Sequence, residues 1–436
     1  MKIPIHGKIY DLSNFAYKHP GGEQLLQLCK DEPDCSALFE SYHAFSDMSK
    51  IENIMKKYET GQTTEQLFNL DNNGFYQQLK QKVRIYIEIS NDSYNTIRIK
   101  SKANKSWLIT TALGLSVFIF SQYQMFFQTN LWLRIFFSAL SGASLISASY
   151  NLLHDGSHYA ICTNVFVNQM CSEIFQTLLF WNHILWSYHH CIRHHQYTGS
   201  EEYDPDYRKE YHILKTKQKP TLIDYIKIIM TWVMPGIAVG QTISYVIWHF
   251  KGYLWNMKIP SIYYINYIQR LCFSCLFLFA HLFFTYDYGI LCFFIHISST
   301  SLFYWIGSAP DHDLYETHLE INKINNKLIN DKFASDSTGC ILKVSDWGEL
   351  QVRSSSNFIN SSDKYGIFTR ILGGINYQIE HHLFPTLNNH HLKKISPIVK
   401  EMCKEYNIPY NCVENPVNIY LSLVKTYTGY KHDSIN

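Results

Sequence analysis

The sequence predicts a mainly α-helical integral membrane protein of four spans with a cytosolic cap, preceded by a small polar domain. Two observations carry this. Four stretches of about 20 predominantly apolar residues, long enough to cross a bilayer, lie at 107–127, 131–150, 266–285 and 288–307. Three histidine clusters sit beside apolar segments: His154-Asp155-Gly156-Ser157-His158, His190-Cys191-Ile192-Arg193-His194-His195 and Gln378-Ile379-Glu380-His381-His382. Residues three and four apart share a helix face, so each cluster can aim two or more ligands at one point. Imidazole suits iron, copper and zinc. Three such clusters imply a membrane metal site holding two ions.

Composition removes other classes. With 38 basic against 36 acidic residues the net charge is +2, and no nucleic-acid footprint appears. Histidine stands at 21, and the clusters supply much of that excess. The 11 cysteines are scattered, and they read as reduced, small hydrophobes. The CxxC pair Cys272 and Cys275 lies inside a span and reads as packing. The polar start, Met1 to Asp11, has no apolar h-region, so no cleaved signal peptide is expected.

Residues 1–68 are polar and mixed, enough for one small domain. They contain Tyr17-Lys18-His19-Pro20-Gly21-Gly22-Glu23 and Phe39-Glu40-Ser41-Tyr42-His43. Pro20-Gly21-Gly22 suits a turn that presents His19. With Gly7-Lys8-Ile9-Tyr10-Asp11-Leu12 ahead of His-Pro-Gly-Gly, this region resembles cytochrome b5, a small α+β haem domain. The resemblance implies haem b held between His19 and His43. Two axial imidazoles saturate the iron, so such a module passes single electrons.

Residues 69–105 link this domain to the spans, with an amphipathic patch at 75–87. Lys100, Lys102 and Lys105 flank the first span and place its N-terminal side in the cytosol. The spans form two hairpins, turning at Gln128-Thr129-Asn130 and around Tyr286-Asp287. All three clusters must face one side to share a site, which forbids an odd number of crossings between any two. The apolar stretches at 165–181 and 228–248 therefore do not cross. Pro235, Gly236 and Gly240 interrupt the second, as suits an interfacial segment. Both termini and all clusters then lie on the cytosolic side. His281 and His296, inside spans, read as packing residues.

Taken together, these features resemble the front-end membrane desaturases, acyl-lipid desaturases fused to cytochrome b5, from Gly7 to about Pro409. The run Gly373-Gly374-Ile375-Asn376-Tyr377-Gln378-Ile379-Glu380-His381-His382-Leu383-Phe384-Pro385 is especially specific. Its glutamine, in place of a first histidine, marks the front-end branch. Ser396-Pro397-Ile398-Val399 and Tyr406-Asn407-Ile408-Pro409-Tyr410 also match.

The resemblance implies a di-iron desaturase fold over 106–415, with 416–436 a C-terminal tail. Two non-haem iron ions would be held by His154, His158, His190, His194, His195, His381 and His382. His312, in Ala309-Pro310-Asp311-His312-Asp313, is the candidate for a further ligand after the fourth span. Gln378 would serve as ligand or supporting group at the catalytic centre. Asp155, Asp311 and Glu380, beside ligands, are expected to accept ring N–H bonds that fix the tautomers. The second box departs from the branch: three residues separate His190 from His194-His195 where two are usual, and His189 becomes a rival ligand. A polar run at 318–337 is expected to lengthen the cytosolic loop.

The implied reaction is oxygen-dependent desaturation of an unsaturated fatty acyl chain, linked to coenzyme A or phospholipid. Delta-6 ranks first, then delta-5 or delta-8. NADH would supply electrons through a separate cytochrome b5 reductase, since no Gly-rich dinucleotide fingerprint is present. The family resides in the endoplasmic reticulum membrane. A sphingolipid long-chain-base delta-8 desaturase shares these modules. A membrane-anchored haem electron carrier without di-iron catalysis is the reading from another class.

Overall fold

The first strand turns its isoleucines inward: Ile3 and Ile5 are buried while Lys2 stays out. Lys2–Ile5 pairs antiparallel with Lys8–Asp11, which pairs in turn with Glu59–Thr63. His6 and Gly7 make the hairpin turn with φ of 50° and 72°, the left-handed pair that a two-residue β-turn demands. Helices Glu23–Cys29, Ser36–Tyr42 and Met48–Met55 fill the gap between the second and third strands. The front domain is thus α+β, as expected. This is a computed structural model, and it describes residues 1–88, 93–200, 202–206, 220–234, 253–254, 257–258, 264–284, 287–330, 342 and 345–428.

Four long apolar helices follow. Lys105–Phe127 and Leu131–Ser149 form the first hairpin, each begun by an asparagine (Asn104, Asn130) whose side chain accepts a backbone N–H. Such a cap satisfies one of the donors orphaned at a helix start. Tyr264–Phe284 and Gly289–His312 are the third and fourth. The fourth runs past its expected end at 307, because Ser356 N–H holds the Asp311 carbonyl at 2.8 Å and extends the packed end. Among the described residues, Tyr94–Phe127, Leu131–Ser157 and Gly289–Ile324 are long and apolar enough to cross a membrane. The third helix adds the apolar stretch Cys272–Phe283. Leu113, Phe120, Phe136, Phe279 and Ile290 are exposed on these helices, the outward apolar belt of a membrane protein. Cys272 and Cys275 belong to that exposed surface, which corrects their reading as packing.

The two doubtful stretches form short helices. Val165–Leu178 has 14 residues, only about 21 Å of helix, against a bilayer core of about 30 Å. Phe166, Val167, Met170 and Ile174 line its exposed side. Leu222–Val233 is similar, with Leu222, Ile223, Ile226 and Met230 exposed. Pro235, Gly236 and Gly240 lie outside the described residues.

The connecting segment is not slack. Helix Phe75–Ile87 buries Phe75, Tyr76, Leu79 and Val83 in the same core as Trp347, Phe384 and Val399. The C-terminal segment is also built in: Pro416–Thr428 is a helix, with Tyr427 Oη donating to Asp313 Oδ2 at 3.0 Å. The polar run after 318 starts as part of helix Tyr315–Asn330 rather than as a loop.

Gly142 lies at a close approach of the second and fourth long helices. A Cβ there would collide with the His296 carbonyl oxygen and lie 2.8 Å from Thr300 N. Gly142→Ala is expected to lower stability by about 1–3 kcal/mol through overpacking. Gly114→Ala has nothing within 4 Å of the new carbon and should hold or gain stability, by up to about 1 kcal/mol of helix propensity. Thermal unfolding of the two variants in detergent checks the contrast.

Candidate metal centre

Wide helical turns position the first two clusters. Past Ser149 the second long helix opens into a π-helical stretch, Tyr150–His154, and then narrows at Asp155–Ser157. Ser187–His194 is also π-helical and narrows at His195–Tyr197. The clusters therefore depart from ideal α spacing, through turns of the kind found at functional sites. The third cluster occupies the short helix Gln378–Leu383. Gly373 and Gly374, with φ of 57° and 77°, make the tight approach to it. A Cβ on Gly373 would sit 2.6 Å from the Tyr150 carbonyl carbon, so only glycine lets this turn close against the first cluster.

Two groups of imidazoles result. His154, His158, His190 and His381 bring their ligand atoms within 4.8 Å of one another, and so do His194, His312 and His382. His195 joins the groups. Its Nε2 is 3.3 Å from His190 Nε2 and 3.1 Å from His381 Nε2, and its ring stacks on His382 at 4.2 Å. Gln378 Nε2 lies 3.0 Å from His312 Nε2. His189 points elsewhere, its Nε2 bonded to Asp206 Oδ1 at 2.6 Å.

The second group shows what this space is for. His194 Nδ1 faces the Asp204 carboxylate at 3.0 Å, and His312 Nδ1 faces the Ser354 carbonyl at 2.7 Å. His382 Nδ1 faces Gln351 Oε1 at 3.0 Å. Those partners accept, so each Nδ1 must donate, and each neutral ring keeps a bare lone pair on Nε2. The His194 and His312 Nε2 atoms nevertheless stand 3.1 Å apart, and buried His382 Nε2 and Gln378 Oε1 have no hydrogen-bond partner among the described residues. Converging bare lone pairs fit a cation. In the first group, His158 Nε2 is likewise buried and without a hydrogen-bond partner among the described residues.

Burial, then neighbouring imidazoles, holds His190, His195, His381 and His382 well below the usual imidazole range, so they are neutral. Burial pulls His194 the same way, but the carboxylates of Asp204 and Asp206 outweigh it and raise that group.

The acids expected to orient the rings do not. Asp155 Oδ2 accepts from Asn388 Nδ2 at 2.7 Å, and Glu380 accepts from Asn357 Nδ2 at 2.8 Å and Tyr410 Oη at 2.7 Å. Asp311 Oδ1 is buried without a hydrogen-bond partner among the described residues. A residue next to a ligand points about 100° away round a helix, so these acids pin the backbone of the boxes instead. The orienting groups are Asp204, Ser354, Gln351 and Tyr42. Asp204 follows His194 by ten positions, a short-range signal that the expected acids obscured.

In the front domain, His19 and His43 face each other with ring centroids 6.3 Å apart. Their Nδ1 atoms lie 3.2 Å from the Gly22 carbonyl and 2.8 Å from the Phe39 carbonyl, again leaving Nε2 bare. Imidazole nitrogens bind metals at about 2 Å, so this gap suits one metal atom between two rings. Burial lowers both rings, His43 to about 4.

Residues 130–414 match the fatty acid desaturase family, and residues 3–64 match the cytochrome b5-like haem/steroid binding domain. The chain belongs to the fatty acid desaturase family. This desaturase is 25% identical to acyl-lipid (8-3)-desaturase B of Dictyostelium discoideum, over 94% of its own length and 86% of the relative's. It is also 25% identical to acyl-lipid (8-3)-desaturase of Mortierella alpina, over 94% and 89%. Delta(8)-fatty-acid desaturase 1 of Arabidopsis thaliana is 24% identical, over 94% and 85%. The resemblance to front-end, cytochrome b5-fused desaturases is borne out. The protein is an oxidoreductase, and the plain electron-carrier reading falls. Its cofactors are haem in the front domain and a di-iron centre at the histidine cluster.

Asp204→Asn weakens the acceptor on His194 Nδ1. Groups that orient metal-binding imidazoles are worth about 10–100-fold in metal affinity. The variant is expected to lose non-haem iron to a chelator at that much lower concentration, with its haem content unchanged, as iron analysis of the chelated protein would show.

Proposed function

We propose that His154, His158, His190, His194, His195, His312, His381 and His382 ligate two irons, with Gln378 beside His312 as ligand or supporting group. The carrying observation is the set of bare imidazole nitrogens turned toward one another in a buried space. His19 and His43 are the proposed axial ligands of haem b. The reaction is front-end desaturation: a new double bond placed between the carboxyl end of an unsaturated fatty acyl chain and a bond already present.

Iron with dioxygen supplies the oxidant that removal of hydrogens from an unactivated methylene pair requires. The chain's own residues keep the site dry and fixed. His154, His158, His190, His195, His381 and His382 are all buried. Trp186 stacks on one face of the His190 ring at 4.4 Å and donates from Nε1 to Ser157 Oγ at 3.3 Å, which fixes the plane of that ring. Trp181 stacks on Trp186 at 5.0 Å and extends this aromatic wall toward the long helices. An acyl tail lying along the wall would be positioned by apolar contact alone, with its head group setting the distance to the iron.

Relatives named Delta(5) and (8-3) desaturases support delta-5 ahead of delta-6, and the Arabidopsis relative keeps delta-8 in view. The proposed electron source is NADH through a separate cytochrome b5 reductase. The proposed location is the endoplasmic reticulum membrane, with four crossings and with termini and histidine boxes cytosolic. The proposed units are the haem domain at 1–68, the connection at 69–105 and the desaturase domain at 106–415.

Expression in yeast fed unsaturated fatty acids of eighteen and twenty carbons tests this, with His382→Ala as the blank. Mass spectrometry of derivatised products should show a new bond on the carboxyl side of the existing ones, absent from the variant. Unchanged fatty acids together with a new bond in the long-chain bases would sink the fatty-acyl assignment.

A further inference from the structure

The haem domain does not hang beside the desaturase domain; it is docked on the helix that carries the second histidine box. Glu32 is 3% exposed and sits at the centre of the contact. It accepts from Tyr188 Oη at 2.7 Å, Arg193 Nη1 at 2.9 Å and Tyr197 Oη at 3.1 Å. Leu38 N–H donates to Gln196 Oε1 at 3.3 Å, and Phe45 packs on Phe384 with centroids 5.8 Å apart. A buried carboxylate so fully paired fixes orientation, since removing any partner would leave polar groups unsatisfied.

That orientation places one haem-domain side chain on the metal centre. Tyr42 immediately precedes His43, and its Oη lies 2.9 Å from Nδ1 of His158. With Nδ1–H donating to the Tyr42 oxygen, His158 keeps Nε2 free, and that atom is buried and unpartnered among the first group of imidazoles. A continuous bonded chain therefore runs from the His43 ring through one peptide link to the Tyr42 ring, across one hydrogen bond, and through the His158 ring.

We propose that the Tyr42–His158 hydrogen bond is the electron contact between haem and the di-iron centre. This rests on the ligand assignment of His158 and His43 made above. In each transfer the ferrous haem loses one electron and becomes ferric, and the non-haem centre gains that electron. Tyr42 is neither oxidised nor deprotonated, and no proton crosses. Reductase restores the ferrous haem, and two such transfers supply the two electrons a turnover needs beyond those of the substrate.

The test uses the full-length holoenzyme under anaerobic conditions. Haem is reduced by a light pulse while the di-iron centre is oxidised, and the return of the ferric haem spectrum is followed. Tyr42→Phe removes only the oxygen. It is expected to slow haem re-oxidation by about ten-fold or more, the scale on which losing a partner of a metal-bound imidazole acts. Ferric haem spectrum and haem potential should stay as in the parent, and parent and variant are both loaded to the same non-haem iron content before the pulse. Tyr188→Phe leaves Glu32 held by Arg193 and Tyr197, so any cost falls on stability while the docked orientation and the re-oxidation rate stay nearly as in the parent. A parental rate in Tyr42→Phe at equal non-haem iron content would overturn the proposal, as would equal slowing in Tyr188→Phe. The ligand assignment fails separately, if His158→Ala keeps its full non-haem iron.

Discussion

Eight imidazoles held close together in a buried space, ring nitrogen toward ring nitrogen, are the constraint on which this structure turns. His194 and His312 face each other at 3.1 Å through nitrogens that their outer hydrogen bonds leave bare. With both rings neutral and no cation between them such an arrangement is repulsive, and in a buried site little solvent relieves it. The fold must therefore supply the holding force. It does so from outside the cluster, through Asp204, Ser354, Gln351 and Tyr42, each bonded to the far nitrogen of a ring. The helical ends are widened into π turns, and Gly373 admits the third box against Tyr150. These local departures from regular structure all serve one geometry.

The same logic explains the haem domain's position. An electron donor on a flexible tether gains effective concentration, but a docked donor also gains a fixed path. Docking here uses a buried carboxylate, Glu32, paired with Arg193 at 2.9 Å and two tyrosines. Buried ion pairs are weak sources of net stability. Their use at this interface points to orientation as the property that matters. The connecting helix Phe75–Ile87 acts alike: Lys80 pairs with Glu40 of the haem domain, and Leu79 and Val83 enter the core shared with the cap.

Much of this was legible in the sequence because its signals are local. Apolar runs gave the long helices, and Asn104 and Asn130 sit where helix caps belong. Clustered histidines announced the metal site, and His19 and His43 the haem. What the sequence hid was long-range or directional. Tyr42 and His158 lie 116 positions apart, and no periodicity links them. Asp155 and Glu380 looked like partners of their neighbouring histidines, yet helix geometry turns them toward Asn388 and Asn357. Segment 75–87 looked like a connection because it is polar on average, and 416–428 looked like a tail because it lies beyond the last matching motif. Leu79 and Val83 of the first and Ile419, Leu423 and Val424 of the second nevertheless pack into buried cores.

Iron accounting is the most direct measure of the central claim. Purified full-length protein would be assayed for haem by its pyridine spectrum and for total iron by elemental analysis, in the same sample. The arrangement of imidazoles in two linked groups calls for one haem and two further irons per chain. One haem with no non-haem iron, under conditions where the protein is active, would contradict the account.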